Sequence, residues 1–244
     1  MTSVEKRGVL YIVFDDVELL KECVHSASTL RKYSPGIPSQ LITNLSPALF
    51  KSSVFDSVDL VTDTIHPLKA KVKYLFHTNF ETTLFLDADT EIRSDISELF
   101  SDLGKYDLGI TYDNECDWES EPVKFIRQKS NDINTGMILY RNTPAVMSLL
   151  HEWLQLLLPQ EEAIMRPGTF GDQWYFNKHI LKKAISGETV QTKILSNEIY
   201  NVRPWCWSHL KREKKFRKAK ILHAHHLHHG FFTKLKRKLK SLTG

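Results

Sequence analysis

TTLFLDADTEI, residues 82–92, is an apolar run that ends in two carboxylates one residue apart. Leu84-Phe85-Leu86 has the character of a buried strand, and Asp87 and Asp89 follow at once. Alternation along an extended chain puts both carboxylates on one side, with small Ala88 turned the other way. Two like charges projecting together from the end of a core strand repel each other unless a cation lies between them. Oxygen ligands suit a hard divalent ion such as Mg²⁺ or Mn²⁺, which can in turn hold a phosphate. A strand-end turn with two solvated acids would show the same Asp-x-Asp. The apolar run ahead of the pair favours a site, because it anchors both acids at a sheet edge, where ligands of α/β folds bind.

Upstream, residues 8–14 form a continuous apolar run, as in a strand covered on both faces. Asp15, with Glu18 three residues later, predicts a capped helix start. Leu19, Cys23, Ala27 and Leu30 then make a helical stripe that Ser34-Pro35-Gly36 stops. Residues 40–43 and 58–61 read as short strands, and Pro67 opens a helix carrying Lys69, Lys71 and Lys73. Strand, helix, strand, helix, strand is the alternation of a mostly parallel sheet.

Downstream, residues 96–103 predict a short helix ended by Gly104, and residues 106–111 a strand that delivers Asp113. Residues 113–131 are polar and irregular and predict a loop. Residues 132–141, DINTGMILYR, resume strand character with Asn134-Thr135-Gly136 at the start. Pro144 starts an amphipathic helix through Leu149, Leu150, Trp153 and Leu157. Gly168 and Gly171 flank a turn before Asp172-Gln173, which begin a helix to about Lys183; Asp172 could serve there as its N-cap. Residues 193–196 and 219–224 read as late strands, the second carrying His223 ahead of a cluster from His225 to His229. Trp205 and Trp207 stand beside Pro204 in an apolar-polar mix that suits core better than a sugar platform.

At 244 residues, with 41% hydrophobic and 25% charged residues, the chain has the composition of an ordinary soluble α/β protein with a sizeable core. No apolar run approaches the ~20 residues of a membrane span. Glu5 precedes the first apolar run, which therefore reads as a strand and not as a targeting segment. The three cysteines are odd in number and scattered, as in a reducing cytosol. Net charge is +4, but basic residues crowd between 211 and 220 and again between 234 and 240. No repeat or low-complexity linker divides the chain, so residues 1–230 are expected to form one domain and 231–244 a tail.

Four stretches in this order, TLFLDADT, NTGMILY, GDQWYFN and KILHAH, resemble the GT-A glycosyltransferases, and retaining glycosyltransferase family 8 and related nucleotide-diphospho-sugar transferases in particular. Together they span roughly residues 8–230. The resemblance implies a single Rossmann-like domain, α/β, with a mixed, mostly parallel central sheet flanked by helices. It implies a nucleotide-sugar donor, a UDP-sugar, over a Mn²⁺ or Mg²⁺ ion, and retention of anomeric configuration. Matched by position, Asp87 and Asp89 are the metal-binding pair and His223 the histidine that completes the site. Asn134, with Thr135 and Gly136, lines the sugar pocket, and Asp172 and Gln173 stand beside the anomeric carbon. Asp113 matches a donor-sugar carboxylate and Lys71 a basic residue ahead of the metal strand. The glycine and Lys-Pro-Trp that follow the late histidine in the family are replaced here by His225 to His229, so His225 is a second candidate for the third metal ligand.

The chemistry is coherent in its own terms. Breaking a sugar–phosphate bond leaves a diphosphate whose growing charge must be stabilised. An imidazole among the ligands favours Mn²⁺ over Mg²⁺. No residue declares itself a covalent nucleophile; Asp172 is the nearest candidate, and Gln173 could equally stabilise an oxocarbenium-like state. Two other classes share some features: a catalytically inactive module of GT-A shape that binds sugar or membrane, and phosphatases of the haloacid dehalogenase type. In the latter, Asp-x-Asp usually sits on the first strand and is followed by glycine and threonine, whereas here Thr90-Glu91 follow. The acceptor expected is a glycan or a lipid-linked glycan. From Phe231 the chain reads FFTKLKRKLKSLTG, whose helical stripe of Phe231 or Phe232, Leu235, Leu239 and Leu242 leaves Lys236, Arg237 and Lys240 outside it. Such a segment predicts peripheral contact with an anionic membrane through residues 231–242, on a cytoplasmic protein, and no nucleic acid polymer as partner.

Overall fold

Val9 to Val13 are almost inaccessible to solvent along their whole length, and they form the middle of the first strand, β1 (Glu5–Val13). Alternation sends Leu10 and Ile12 to one side of the sheet and Val9, Tyr11 and Val13 to the other, into two separate apolar clusters. A strand buried on both faces needs helices on both, and the chain supplies them. In the computed structural model of the chain, residues 5–113, 115–117, 124–126, 131–160 and 171–228 are described.

On one face lies α1 (Val17–Tyr33), whose Leu20, Cys23, Ala27 and Leu30 pack beside Leu99, Phe100 and Leu103 of α3 (Ser97–Leu103). On the other lie α2 (Pro67–Tyr74) and α4 (Pro144–Leu157), the latter centred on fully buried Trp153. Each large apolar side chain buried in this way contributes about 1.5–3 kcal/mol. Asp16, not Asp15, caps α1, with the Leu19 amide donating to its Oδ1 at 2.9 Å. Asp15 instead takes the left-handed turn out of the strand (φ 59°) and exchanges hydrogen bonds with Asn44, a conformation aspartate tolerates.

The central sheet has seven strands in the order β10-β6-β9-β4-β1-β2-β3. They are β2 (Ser39–Thr43), β3 (Ser57–Leu60), β4 (Phe80–Leu86), β6 (Leu108–Tyr112), β9 (Ile133–Arg141) and β10 (Thr192–Leu195), with β1 near the middle. All neighbours pair in parallel except β9, which runs antiparallel to both β4 and β6. The sheet is therefore mixed and mostly parallel, as expected. The single reversal matters for function: it lays the beginning of β9 beside the ends of β4 and β6.

Two small ribbons are additions that periodicity did not disclose. β5 (Thr90–Ile92) pairs antiparallel with β11 (Ile221–His223), His223 opposite Thr90. The stretch expected to be a plain loop, residues 113–131, instead contains an antiparallel pair, β7 (Glu115–Asp117) and β8 (Lys124–Ile126). Three-residue strands paired with each other present too little alternation to be recognised in a polar sequence.

The helix expected from Asp172 is α5 (Gly171–Tyr175), continued by a π turn (Phe176–Ile180) and α6 (Leu181–Ser186). Shorter helices, α7 (Asn197–Tyr200) and α8 (Trp207–Arg212), lead to β11. Trp205 and Trp207 pack against a third cluster of Val202, Cys206, Leu210, Ala219 and Leu222, and the Trp207 indole donates to the Val202 carbonyl, so both serve the core. Cys23 and Cys206 are buried in different clusters. Among the described residues, no helix is long and apolar enough to cross a membrane. Gly168 and the basic stretch 231–244 lie outside the described residues.

Candidate active site

β4 ends at Leu86, and the Asp87 amide still donates to the Gly136 carbonyl at 2.8 Å, so the pairing with β9 continues into the carboxylate pair. Asp89 is 7% exposed, and the Ala224 amide holds its carbonyl at 2.8 Å. The β5–β11 ribbon thus fastens the chain after Asp89 to the chain around His223. As a result, one ligand atom from each of Asp87, Asp89 and His223 lies within 4.8 Å of the others. His223 Nε2 is 3.2 Å from Asp89 Oδ1 and 3.8 Å from Asp87 Oδ2. Its Nδ1 meets Asn201 Oδ1 at 2.8 Å, which orients the ring with Nε2 toward the acids. Orientation of a ligand imidazole by a partner on its other nitrogen is a common feature of metal sites.

A buried and a half-buried carboxylate with an oriented imidazole form a donor set that fits a divalent cation of the Mn²⁺ or Mg²⁺ class. Gly136 shapes the same space. A Cβ there would run into the His223 ring and come within 2.7 Å of Asp87 Oδ2 and 2.9 Å of Asn134 Oδ1. Gly136→Ala is therefore expected to displace His223 or Asp87, at a cost of about 1–3 kcal/mol in stability. Thermal unfolding and Mn²⁺ titration of the variant test this; unchanged metal affinity would show that the site yields without loss.

The second half of the site hangs on Lys71. Its ammonium lies 2.9 Å from Asp172 Oδ2, 3.1 Å from Asp87 Oδ1 and 3.3 Å from Thr135 Oγ1. Burial disfavours its charge, but Asp172 and Asp87 outweigh that and hold the ammonium well above lysine's ordinary pKa. Burial also pushes the Asp87 carboxyl above the usual range against the attraction of Lys71 and His223. Asp89 goes the other way: although burial opposes its charge, the neighbouring His223, by charge and hydrogen bond, holds it well below that range. The two members of the Asp-x-Asp pair are thus electrostatically unequal, as crowded carboxylates must be.

From Lys71 the network runs onward without a break. Thr135 Oγ1 donates to Asp172 Oδ2 at 2.8 Å, and its amide to Gln173 Oε1 at 3.3 Å. Gln173 Nε2 donates to Asp113 Oδ2 at 3.0 Å, and Asn134 Nδ2 to Asp113 Oδ1 at 3.3 Å. Asp172 is accordingly not an N-cap; its carboxylate is buried in this network, and its carbonyl accepts from the Trp153 indole at 3.0 Å. A register shift lets Asn134-Thr135-Gly136 take part. Between Ile110 and Thr111 the β6–β9 pairing jumps so that Thr111 faces Asn134, freeing the next residues from β6. The π turn clamps the same corner, Asn177 exchanging hydrogen bonds with the Ile133 backbone at 2.8 and 3.0 Å.

All ten sequence-predicted positions, Lys71, Asp87, Asp89, Asp113, Asn134, Thr135, Gly136, Asp172, Gln173 and His223, therefore meet at one sheet edge. His225 sits beside this group, with its Nδ1 3.1 Å from Glu22 Oε2 and 3.5 Å from Asp89 Oδ2. Asn201 and Thr111 carry no signal in the sequence: Asn201 Nδ2 donates to Thr111 Oγ1 at 2.9 Å and to Asn134 Oδ1 at 3.0 Å, linking His223 to the Asn134–Asp113 pair. No local pattern marks Asn201. Glu22 was also missed, although an acid beside the buried stripe of α1 is a legible anomaly. The phosphatase alternative fails here, because Asp-x-Asp follows β4 within this mixed sheet and not the first strand.

Solved structures share the fold. The bifunctional glycosyltransferase WbbM aligns over 92% of this chain and 46% of its own, at 14% identity and a TM-score of 0.57. GlyE of Streptococcus pneumoniae TIGR4 aligns over 90% and 54%, at 16% identity and 0.61. Mouse xyloside xylosyltransferase 1 aligns over 91% and 98%, at 14% identity and 0.52. The chain spans about half the length of the first two. No curated protein matches it in sequence. A family model does, over residues 61–241, a region that takes in the Asp-x-Asp, the Asn-Thr-Gly, the Asp-Gln and the late histidine. The chain belongs to the nucleotide-diphospho-sugar transferase family.

Proposed function

We propose that the protein transfers a glycosyl group from a nucleotide-diphosphate sugar, a UDP-sugar, to a glycan or lipid-linked acceptor, with retention of anomeric configuration. The observation that carries this is the continuous network from Asp89 and His223 through Asp87, Lys71 and Asp172 to Gln173, Asp113 and Asn134. On this reading the Asp87–Asp89–His223 end binds the cation and the Asp113–Asn134 end the sugar, and their continuity supports one reaction centre.

Asp87, Asp89 and His223 would hold Mn²⁺ or Mg²⁺, which when bound acts as a Lewis acid on the departing diphosphate. Asp113 and Asn134, already paired with each other, present oxygen and amide groups to sugar hydroxyls and select among sugars. Lys71 pairs with both Asp87 and Asp172 and fixes their positions. Asp172 offers negative charge to an oxocarbenium-like state, while Gln173, held between Thr135 and Asp113, positions its amide beside that centre. Preorganised groups of this kind cost no reorganisation when the bond breaks.

A panel of nucleotide sugars, each with Mn²⁺, tests the donor class by thermal shift. A donor at about 100 times its Kd adds about 2.7 kcal/mol to stability, a rise of roughly 5–10 °C for a domain of this size. One nucleotide sugar should give that shift with Mn²⁺ and lose it in chelator. No shift with any donor would remove the assignment. NMR of the product should show the donor's anomeric configuration kept; an inverted product would exclude retention. Residues 231–242, read from sequence, would bring the enzyme to an anionic membrane carrying its acceptor, which co-sedimentation with vesicles of the full chain and a form ending at Gly230 would test.

A further inference from the structure

The histidines after β11 are gathered around one acid. Glu22 is only 5% exposed, although it lies on α1 and carries a charge. Its Oε2 is 3.1 Å from His225 Nδ1, while its Oε1 accepts from the His226 amide at 2.6 Å. His226 Nδ1 lies 3.4 Å and His228 Nδ1 3.9 Å from that same Oε1. His226 adopts a left-handed backbone (φ 64°) to make this approach, a conformation uncommon outside glycine.

Asp89 completes the group from the other side. Its Oδ1 faces His223 at 3.2 Å, whereas its Oδ2 lies 3.5 Å from His225 Nδ1. The two oxygens of one buried carboxylate therefore point toward two different imidazoles. Ligand atoms of Glu22, Asp89 and His225 all lie within 4.8 Å of one another, the same closeness found among Asp87, Asp89 and His223. Two buried carboxylates this near repel each other, and the Lys71 ammonium is engaged by Asp87 and Asp172 instead.

We propose that Glu22, Asp89 and His225 form a second divalent-cation site, joined to the Asp87–Asp89–His223 site by Asp89 as a bridging carboxylate. Two oxygens and one imidazole nitrogen select an ion of the Mn²⁺ class, the same as at the first site. An ion there ties the 225–228 turn to α1 and holds Asp89 from both sides. The site requires neither donor nor acceptor, and it depends on the first site only through the shared Asp89.

The experiment is Mn²⁺ binding by the full chain after chelator stripping, with bound ions counted by equilibrium dialysis and metal analysis. Low-temperature EPR of the loaded protein gives a second readout. His225 is a safe position to change, because its side chain is 68% exposed; Glu22→Gln keeps the shape of the buried side chain. Wild type should bind two ions and show a spin-coupled pair, while His225→Ala and Glu22→Gln should each bind one and lose the coupling. His223→Ala should also retain one ion, at the second site. A wild type that binds a single ion, or variants that both bind as many as wild type, would overturn the proposal. So would loss of an ion in His225→Ala but not in Glu22→Gln, since that pattern marks adventitious binding to exposed histidine only.

Discussion

Asp89→Asn should lower glycosyl transfer by at least about 10³-fold, or on the order of 4 kcal/mol in the transition state. The substitution keeps the shape of the side chain and removes the charge that faces His223 Nε2 at 3.2 Å. It also leaves intact the Ala224 amide bond to the residue 89 carbonyl, so the β5–β11 ribbon should survive and the far-ultraviolet circular dichroism should not change. His223→Ala should fall in the same way. Loss of turnover with an unchanged fold, matched by wild type in chelator, would establish the cation-dependent mechanism. Full activity of Asp89→Asn, or of wild type without divalent ions, would remove it.

Lys71→Met should be the most destabilising single change in the site. Lys71 is 8% exposed and is the cation shared by Asp87 and Asp172. Methionine fills much of the space but strands two carboxylates in a desolvated pocket. Removing one partner of a buried ion pair costs about 3–5 kcal/mol, which lowers Tm by roughly 6–20 °C in a domain of this size. The double variant Lys71→Met/Asp172→Asn should recover part of the loss, because one of the stranded charges is gone. Equal melting temperatures for wild type and Lys71→Met would mean that the pair contributes no net stability and that Lys71 serves the donor alone. Recovery of stability without recovery of turnover in the double variant would separate the structural part of Asp172 from its part in the reaction.

Much of this protein can be read from local pattern. The apolar runs at 8–14 and 84–86 declare central strands because a strand buried on both faces cannot alternate. The stripes in α1 and α4 declare helices, and Pro67 and Pro144 mark the starts of α2 and α4, since proline is tolerated in the first turn and nowhere deeper. Asp87 and Asp89 point to a site only when their spacing is read with the apolar run that anchors them at a strand end. Ranking the late histidines was harder. His223 and His225 are two residues apart in similar surroundings, and only the pairing of β11 with β5 puts His223 against the Asp-x-Asp pair and His225 against Glu22.

What the sequence by itself determined, then, is the set of elements and the residue types that carry charge at their ends. The tertiary structure decided which of those ends meet. The reversal of β9 is invisible in the pattern of residues 133–141, because a strand buried on both faces looks the same in either direction; yet it alone brings Asn134-Thr135-Gly136 to Asp87. The register shift opposite Thr111, the place of Asn201 between the two halves of the site, and the gathering of His225 and Asp89 around Glu22 are likewise long-range contacts. Each joins residues far apart in the chain, and no local periodicity encodes such a meeting. The physical reason is that secondary structure follows from neighbours a few positions away, whereas a buried charge finds its partner only after the sheet has closed around both.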